Sequence, residues 1–460
     1  MNVFNTRTWF VLTSAVLAIV CIASVVLDAR FNLLPKPTSD GPIYENIAYH
    51  LSTGRGFWID LQDPKWSEPY EQSSEQDDFR IYLDAPPQSM PMTGRPPLFP
   101  AVVAILYTIV DRDPTAFALV RVLSALCIAI GCALAVANSA AVISKFEVGG
   151  RKFSNASIGL GCAAATFFAA SNRTLLSYAS DFLTEPLALL LTQLLVVALL
   201  ALTQSRACEA SRPLSWWLVL AIGVTVAGMI LVRSLFVLWL PGLWLLIVGI
   251  RNSHRLRDAT LIIVVAIVCL SPWWIRNCVV LERFMPLGTQ GPITLLGGYC
   301  DEALAGGGDW QHAPEQRLRQ AMSENETFNA LPTDVARELM IVDESKRLVR
   351  TWIADHVTQL PKLFVARVIT HWNPYTGKSL IWRVLILVGA IYLVVHRRPE
   401  AWVLVGLPVM NTVLVASLYT TGGRFLVPLY GILFTLSAFG VANLIEFAIS
   451  RYRMSFGKIV

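Results

Sequence analysis

The sequence predicts an all-α polytopic membrane protein with about ten transmembrane helices, and three observations support this fold class. Hydrophobic residues make up 55% of the 460 positions and charged residues only 15%, and the mean hydropathy is +0.54. This composition is too apolar for a soluble globular protein. Apolar runs of the roughly 17 to 25 residues that cross a bilayer recur along the chain. The basic residues lie in short clusters between these runs, where they set topology.

Ten apolar runs are candidate spans. They cover 9–27, 115–143, 156–178, 182–203, 215–232, 234–250, 259–275, 379–395, 400–418 and 425–449. The first run follows a lone Arg7, and no small-residue cleavage site precedes residue 40. We therefore expect it to be a retained helix rather than a removed signal peptide.

Basic clusters near 145–152, 206–212, 251–257, 397–398 and 451–453 all fall on one face of this arrangement. The positive-inside rule makes that face cytoplasmic. We therefore expect a multi-pass protein of the cytoplasmic (inner) membrane with both termini in the cytoplasm. Two long polar segments, 28–114 (the first loop) and 276–378 (the second loop), are expected together on the external face. The expected parts are an N-terminal module 1–275, the second loop, and C-terminal helices 379–460.

Several function classes are disfavoured by the composition. The net charge of +5 does not indicate nucleic-acid binding, because the basic residues are those that set topology. The eight cysteines show no CxxC spacing and exclude a zinc ribbon. Cys278 and Cys300 lie in the second loop, and the sequence does not decide whether they form a disulfide. No metalloprotease, serine-hydrolase or nucleotide-binding motif is present. No cofactor is therefore assigned, and the sequence leaves a divalent metal open.

The segment that follows the first span carries the main catalytic candidate, Asp40. Apolar residues recur after it at helical spacing, at Ile43, Ile47, Ala48 and Leu51. Gly54 and Gly56 close the predicted helix. Asp40 then stands at the N-cap, where it either only caps the helix or, being held at a membrane surface, serves as a general base.

The first loop ends in a second predicted helix, Leu98–Val110. Its roughly thirteen apolar residues are too few to span a membrane, so we expect a juxtamembrane helix on the external surface. Arg95 stands just before its Pro96-Pro97 start, as either a snorkelling anchor or a phosphate ligand. In the second loop, the Gly-rich stretch 297–308 is expected to be flexible, and 332–359 is expected to be helical.

Other charged residues occur where predicted spans meet the external face. Asp181 and Glu185 flank the start of the fourth span, where Glu185 could simply favour the helix dipole. Arg233 lies in a hairpin between two spans. Trp273 and Arg276 end the seventh span, where an aromatic belt is the simpler explanation, and Arg424 precedes the last span.

Taken in order, these segments resemble the GT-C class of membrane glycosyltransferases, and more closely the branch with the protein O-mannosyltransferases and the lipid A aminoarabinose transferase (family 39-like). The similarity covers most of the chain. It rests on the Asp40-to-Phe57 helix segment, Arg95-Pro96-Pro97, Thr184-Glu185-Pro186, Pro272-Trp273 with Arg276-Asn277, and Arg424-Phe425 with Pro428. The chain departs from the usual pattern at Gly41, where a second acid commonly follows the first.

The resemblance implies a polyprenyl-phosphate-linked sugar as donor. It implies that Asp40 is catalytic and that Glu185, or in a competing alignment Asp181, is the second acid. Arg95 matches the cation that helps to hold the lipid phosphate. The other external cations Arg233, Arg276 and Arg424 are further phosphate-binding candidates, and Tyr44 and Trp273 are expected substrate contacts.

The predicted activity is inverting transfer of one sugar to an acceptor hydroxyl of a lipid, glycan or protein, at the external face of the cytoplasmic membrane. The alternative is a transporter or lipid flippase for cell-envelope glycans. A secondary transporter should show an internal repeat with helices broken at matching positions, and the sequence shows no such pairing. A non-catalytic scaffold would leave Asp40 and Glu185 freely replaceable.

Overall fold

The structure, a computed structural model, describes residues 6–29, 39–71, 89–148, 151–205, 214–250, 254–372 and 377–456. Within these ranges the chain is almost entirely helical. The helices of the N-terminal half are α1 Thr6–Ala29, α2 Gly41–Ser52, α3 Pro64–Glu71, α4 Leu98–Val110, α5 Pro114–Ile143, α6 Asn155–Ala170, α7 Arg173–Ser180, α8 Glu185–Ser205, α9 Trp216–Val232 and α10 Trp239–Ile250. Those that follow are α11 Arg255–Val280, α12 Gln290–Gly298, α13 Asp301–Ala305, α14 Ala313–Ser323, α15 Glu326–Asn329, α16 Asp334–Asp355, α17 Leu360–Trp372, α18 Gly377–Val395, α19 Pro399–Leu404, α20 Gly406–Leu418 and α21 Tyr430–Phe456.

Six helical segments among the described residues are long enough and apolar enough to cross a membrane, so the chain is an integral membrane protein. They are Thr8–Val26, Pro114–Ile143, Glu185–Thr203, Arg255–Val280, Pro399–Leu418 and Arg424–Tyr452. The other four predicted spans appear as shorter apolar helices. The run 156–178, for example, ends at Ala170, and α7 starts separately after Asn172, whose side chain caps it. The count of ten spans therefore stays a prediction.

Helix α21 packs mainly against α5, α6 and α18 and is buried over almost the whole of its apolar length. One continuous core cluster joins residues from the first helix, such as Leu17 and Cys21, to residues of the last, such as Phe434 and Phe439. Exposed apolar side chains instead cover the outward faces of helices such as α1, α11 and α18. This distribution is what a helix bundle surrounded by lipid requires.

The described part of the first loop folds into a small unit that packs against α5. Helix α2 matches the predicted apolar face, with Ile47 and Ala48 fully buried, and ends before Gly54 and Gly56 at φ of +82° and +86°. The helix predicted over 98–110 is present as α4 with the same bounds, and its juxtamembrane position stays a prediction. Strands β1 Trp58–Asp60 and β2 Ser89–Pro91 pair antiparallel between these helices.

The second loop is largely helical, and the helix expected within 332–359 is confirmed as α16. Its Gly-rich stretch is not a free loop, contrary to expectation. Gly308 (φ +83°) packs against Arg367, whose atoms lie within 2.5 Å of where a Cβ would stand. Asp309 then forms a parallel bridge with Thr420 and accepts a hydrogen bond from the Gly422 amide at 2.9 Å. The glycines allow this loop to pack closely beside the start of the last span.

The two loops also touch each other directly. Gly288, just before α12, has φ +76°, and a Cβ built there would lie 1.9 Å from the Thr93 carbonyl oxygen. Both the left-handed backbone and this close approach require glycine. Cys278 and Cys300 are free thiols in this structure.

Candidate active site

The Asp40 carboxylate is held by two arginines. Asp40 stands at the N-cap of α2 as predicted, but its side chain makes no capping hydrogen bond. Arg95 Nη2 lies 2.8 Å from Asp40 Oδ1, and Arg424 Nη1 lies 3.1 Å from Asp40 Oδ2. The interpretation of Asp40 as a mere capping residue is therefore wrong. Residues 384 positions apart in the chain are joined through this carboxylate.

Glu185 is the second acid of the cluster, and it is fully buried at the start of α8. Arg233 Nη1 donates to Glu185 Oε1 at 2.9 Å, and Arg424 Nε donates to the same oxygen. Arg424 thus bridges Asp40 and Glu185. The other carboxylate oxygen, Oε2, has no hydrogen-bond partner among the described residues. A buried carboxylate oxygen without a donor is costly, so Oε2 is a candidate acceptor for a ligand hydroxyl.

We call this group of two acids and three arginines the acid–arginine cluster. It comprises Asp40, Arg95, Glu185, Arg233 and Arg424. Three guanidinium groups against two carboxylates leave one net positive charge. Asp40 remains about a quarter exposed, whereas Arg95 and Arg424 expose less than a fifth of their side chains. The cluster is thus accessible to a substrate while most of its charge is shielded from water.

Aromatic rings border the cluster. The Arg95 guanidinium lies 5.6 Å from the ring centroid of Tyr44, and that of Arg233 lies 5.1 Å from the ring of Phe425. Cation–π contacts of this kind fix the orientation of a guanidinium. Tyr44, a predicted substrate contact, therefore lies beside the site. Burial raises the pKa of the Tyr44 hydroxyl above its usual value, and the negative charge of Asp40 adds to that effect.

The position of Asp40 relative to Arg95 is set by the small sheet of the first loop. The Asn46 side chain of α2 donates to the Asp60 carbonyl at 2.8 Å and accepts from the Asp60 amide at 2.9 Å. It thereby ties the helix that follows Asp40 to β1. Strand β2 pairs with β1, and the Met92 amide extends the ladder to the Phe57 carbonyl at 2.9 Å. Arg95 follows three residues later.

Among the described residues, Arg276 makes no contact with the acid–arginine cluster. Its guanidinium donates to the carbonyls of Met92 and Phe57, at 2.5 and 3.0 Å, at the open end of the sheet. It also lies between the rings of Phe57 and Trp273. Arg276 and Trp273 thus hold together the ends of the strands that lead to Arg95. The competing acid, Asp181, is the half-buried C-cap residue of α7.

A second buried carboxylate, Glu45, was not identified from the sequence. It is fully buried one turn after Asp40 and accepts hydrogen bonds from Tyr107 at 2.9 Å and from Arg112 Nε at 2.7 Å. Trp66 and Tyr70 also donate to it. This network joins α2 to α3, α4 and the segment before α5. Two features of the sequence could have pointed to this pair. Glu45 lies within an apolar helix face, and Arg112 follows the short apolar helix 98–110.

The electrostatics of Asp40 differ from those of an ordinary surface aspartate. Burial alone would raise its pKa, but the positive charges of Arg95 and Arg424 outweigh burial and lower the pKa from 3.8 to about 2. The carboxylate is therefore fully ionised at neutral pH. In this state it is a weak base, because the two arginines stabilise its charged form.

This pKa predicts how the contribution of Asp40 to stability depends on pH. A folded-state pKa below the unfolded value stabilises the protein above pH 3.8, and this stabilisation is lost as the pH falls toward 2. Lowering the pKa from 3.8 to about 2 corresponds to roughly 2 kcal/mol. We expect the Tm difference between wild type and Asp40→Asn to be constant from pH 8 to 5 and to shrink below pH 4. A difference that stays constant down to pH 3 would contradict the ion pairing.

The described residues contain no group of three or more His, Cys, Asp or Glu side chains placed to hold a metal ion. Both carboxylates of the cluster are instead engaged by guanidinium groups. The donors present at this site therefore fit an anionic ligand better than a cation.

No protein-family model matches the chain, and no curated protein does. Among solved structures, the crystal structure of ArnT from Cupriavidus metallidurans bound to undecaprenyl phosphate is similar to this chain. The similarity covers 94% of this chain and 77% of the ArnT chain, at 14% sequence identity and a TM-score of 0.38. A similarity at this level assigns no activity.

Proposed function

We propose that the protein is a membrane glycosyltransferase that moves a sugar from a polyprenyl-phosphate-linked donor to an acceptor hydroxyl, with inversion, at the external face of the cytoplasmic membrane. One observation carries the proposal. Residues from five separate segments of a membrane protein, drawn from the first loop and from three span ends, meet in one partly open cluster of two acids and three arginines. This composition suits an anionic donor and a reaction that needs a base.

The arginines have the chemistry to bind the donor phosphate. A guanidinium group binds two oxygens of a phosphate at once and keeps its charge at any working pH. The single net positive charge of the cluster matches the single negative charge of a phosphodiester donor. When the sugar leaves, the phosphate gains a second negative charge, which preorganised guanidinium groups stabilise more strongly than the ground state.

Donor binding also activates Asp40. In the structure Arg95 and Arg424 both bond the Asp40 carboxylate, which keeps its pKa at about 2. A phosphate that binds these arginines competes with Asp40 for their N–H groups. As those hydrogen bonds move to the phosphate, the pKa of Asp40 rises toward the range of an effective general base. The base is therefore strengthened only when the donor is present.

The reaction then proceeds as one displacement. Asp40 takes the proton of the acceptor hydroxyl while the acceptor oxygen bonds to the anomeric carbon. The bond from that carbon to the phosphate oxygen breaks, and its electron pair leaves with polyprenyl phosphate. Glu185 Oε2 has no donor among the described residues, so it is free to accept a hydrogen bond from a sugar hydroxyl. Attack opposite the leaving phosphate inverts the anomeric configuration.

Mass spectrometry of cells with and without the gene tests the overall assignment. We expect the deletion strain to accumulate one polyprenyl-phosphate sugar while one envelope glycan, lipid or protein loses that sugar. Loss of a donor flippase would give the same cellular pattern, because the donor would not reach its transferase. The purified protein is therefore incubated in detergent, where no leaflets exist, with the accumulated donor and the acceptor that lacks the sugar. An absence of sugar transfer there would overturn the glycosyltransferase assignment.

The role of Arg95 is tested by a donor titration. We expect Arg95→Ala to raise KM for the donor and to lower kcat as well, by roughly tenfold or more in kcat/KM, because a charged hydrogen bond to phosphate is lost. Arg95→Lys should retain part of the activity.

Arg55→Ala is the matched control, because Arg55 is another ion-paired arginine of the same loop, at 3.0 Å from Asp60. It should change neither parameter by more than about twofold, as expected for a surface ion pair. If Arg95→Ala behaves like this control once turnover is normalised to folded protein, Arg95 is a structural anchor and does not bind donor phosphate.

A further inference from the structure

A cavity of about 700 Å³ adjoins Arg424. It lies between the start of α7, the end of α17, the start of α18 and residues 421–430. Aromatic side chains form much of its wall, namely Trp382, Tyr178 and Tyr430. Trp382 and Tyr430 are themselves in edge contact, with ring centroids 5.5 Å apart. Polar groups at the start of α7 complete the lining. The cavity is much larger than a single phosphate group and has the mixed lining of a binding site.

The charged residues described in the lining of this cavity are all basic. Arg173, Arg383 and Arg424 line it, and none of the described lining residues is acidic. The charge of Arg424 is balanced by Asp40 and Glu185 in the acid–arginine cluster. Arg173 forms no ion pair with any residue in the described ranges, and the Arg383 guanidinium donates through Nε to the Trp372 carbonyl at 3.0 Å. Arg173 therefore brings to the cavity a positive charge that no described acid balances.

His371 provides an independent indication of a ligand. It lines the cavity and is 1% exposed. The Asn411 side-chain amide nitrogen, which can only donate, lies 3.5 Å from Nε2. A neutral imidazole whose Nε2 accepts carries its proton on Nδ1. Burial, with the charge of Arg383 as a smaller effect, lowers the pKa of His371 to about 4, so the ring is neutral. Nδ1 is thus an N–H donor, and no described residue accepts from it.

We propose that this cavity binds an anionic group, a phosphate or a carboxylate, of the second substrate. The inference rests on the proposed transfer and names its acceptor class: an acidic glycan or an anionic lipid headgroup. The single net charge of the acid–arginine cluster already matches the donor phosphodiester. Arg173 adds a positive charge that no described acid balances, and His371 Nδ1 adds a buried donor without an acceptor. Both groups suit a second anion. Because Arg424 belongs to both sites, this anion would lie one side chain away from Asp40.

Binding of inorganic phosphate to the purified full-length protein tests the proposal. Radiolabelled phosphate is measured by equilibrium dialysis in detergent, with the donor site saturated by unlabelled undecaprenyl phosphate. We expect phosphate binding to persist under saturation. Arg173→Gln and Arg383→Gln should each weaken it roughly tenfold or more, since each removes a charged hydrogen-bond donor. Both variants should bind undecaprenyl phosphate as wild type does. Arg350→Gln, which removes an exposed arginine of the second loop, should change neither.

Several results would overturn the inference. These are an absence of phosphate binding to wild type, loss of phosphate binding when undecaprenyl phosphate is added, or equal binding by wild type and Arg173→Gln. Arg173 is exposed on α7, so its replacement tests the site even if Arg383→Gln does not fold. Failure of undecaprenyl phosphate to bind, with phosphate binding intact, would instead overturn the proposed donor and leave the anion site standing.

Competition identifies the source of the anion. Phosphatidylglycerol in nanodiscs, compared with phosphatidylcholine, tests an anionic lipid headgroup, and glucuronic acid tests an acidic sugar. Displacement of phosphate by either compound supports the proposal and assigns the acceptor class. If neither displaces it, the cavity holds inorganic anions only, and its assignment to the acceptor is wrong.

Discussion

Replacing Asp40 with asparagine is expected to lower turnover by about 10² to 10⁴-fold while leaving the protein folded, because a positioned general base contributes a factor of this size. Asparagine has a similar shape but cannot accept a proton at neutral pH. The helix should not suffer, since the Asp40 side chain makes no capping bond to α2. Turnover is measured per folded molecule with saturating donor.

Asp181→Asn is the comparison that separates the two alignments of the catalytic acids. Asp181 is the C-cap residue of α7, and we expect its replacement to reduce turnover far less than Asp40→Asn does. Donor binding by Asp40→Asn should be retained or strengthened, because Arg95 and Arg424 are released from the carboxylate. Turnover of Asp40→Asn within about threefold of wild type would remove Asp40 from the mechanism.

Glu185→Gln is expected to have the largest effect on stability. Glu185 is fully buried and balances Arg233 and Arg424, so its neutralisation leaves two partly buried guanidinium groups facing an amide. Removal of one partner of a buried ion pair typically costs about 3–5 kcal/mol. We expect a clearly lower Tm in detergent and a poor yield, together with loss of transfer.

A double variant separates the stability effect from the chemistry. Replacing a buried pair by apolar residues of similar volume is often neutral for stability. Glu185→Leu combined with Arg233→Met should therefore recover part of the lost Tm, yet remain inactive because Oε2 and one phosphate ligand are gone. If this double variant regains transfer along with stability, Glu185 is purely structural.

The sequence predicted the local structure of the site well. Helix α2 and helix α4 follow from apolar periodicity, and α4 has the predicted bounds. Asp40, Arg95, Glu185, Arg233 and Arg424 were each identified from position at a span end or from the resemblance, and the structure brings them together. Each of these charges also has a structural explanation, such as snorkelling for Arg95 or the helix dipole for Glu185. The sequence could therefore name them as candidates but could not show that they meet.

Other features depend on tertiary contacts that periodicity cannot express. The sequence did not show that the Asp40 side chain would bond arginines instead of capping α2, because that depends in part on Arg424, which lies 384 residues away. The place of Arg276 on the carbonyls of Phe57 and Met92 depends on a sheet of only three residues per strand. The buried Glu45 network needs four donors from three segments, and no local pattern indicates their convergence.

The contact between Gly288 and Thr93 has a consequence for engineering this protein. The backbone before α12 rests directly on the carbonyl that lies two residues before Arg95, with no room for even a methyl group between them. A side chain at Gly288 would shift the Thr93 backbone and displace the Arg95 guanidinium from Asp40. A chimera that takes residues 276–378 from another protein would therefore need residues 92–95 from the same parent.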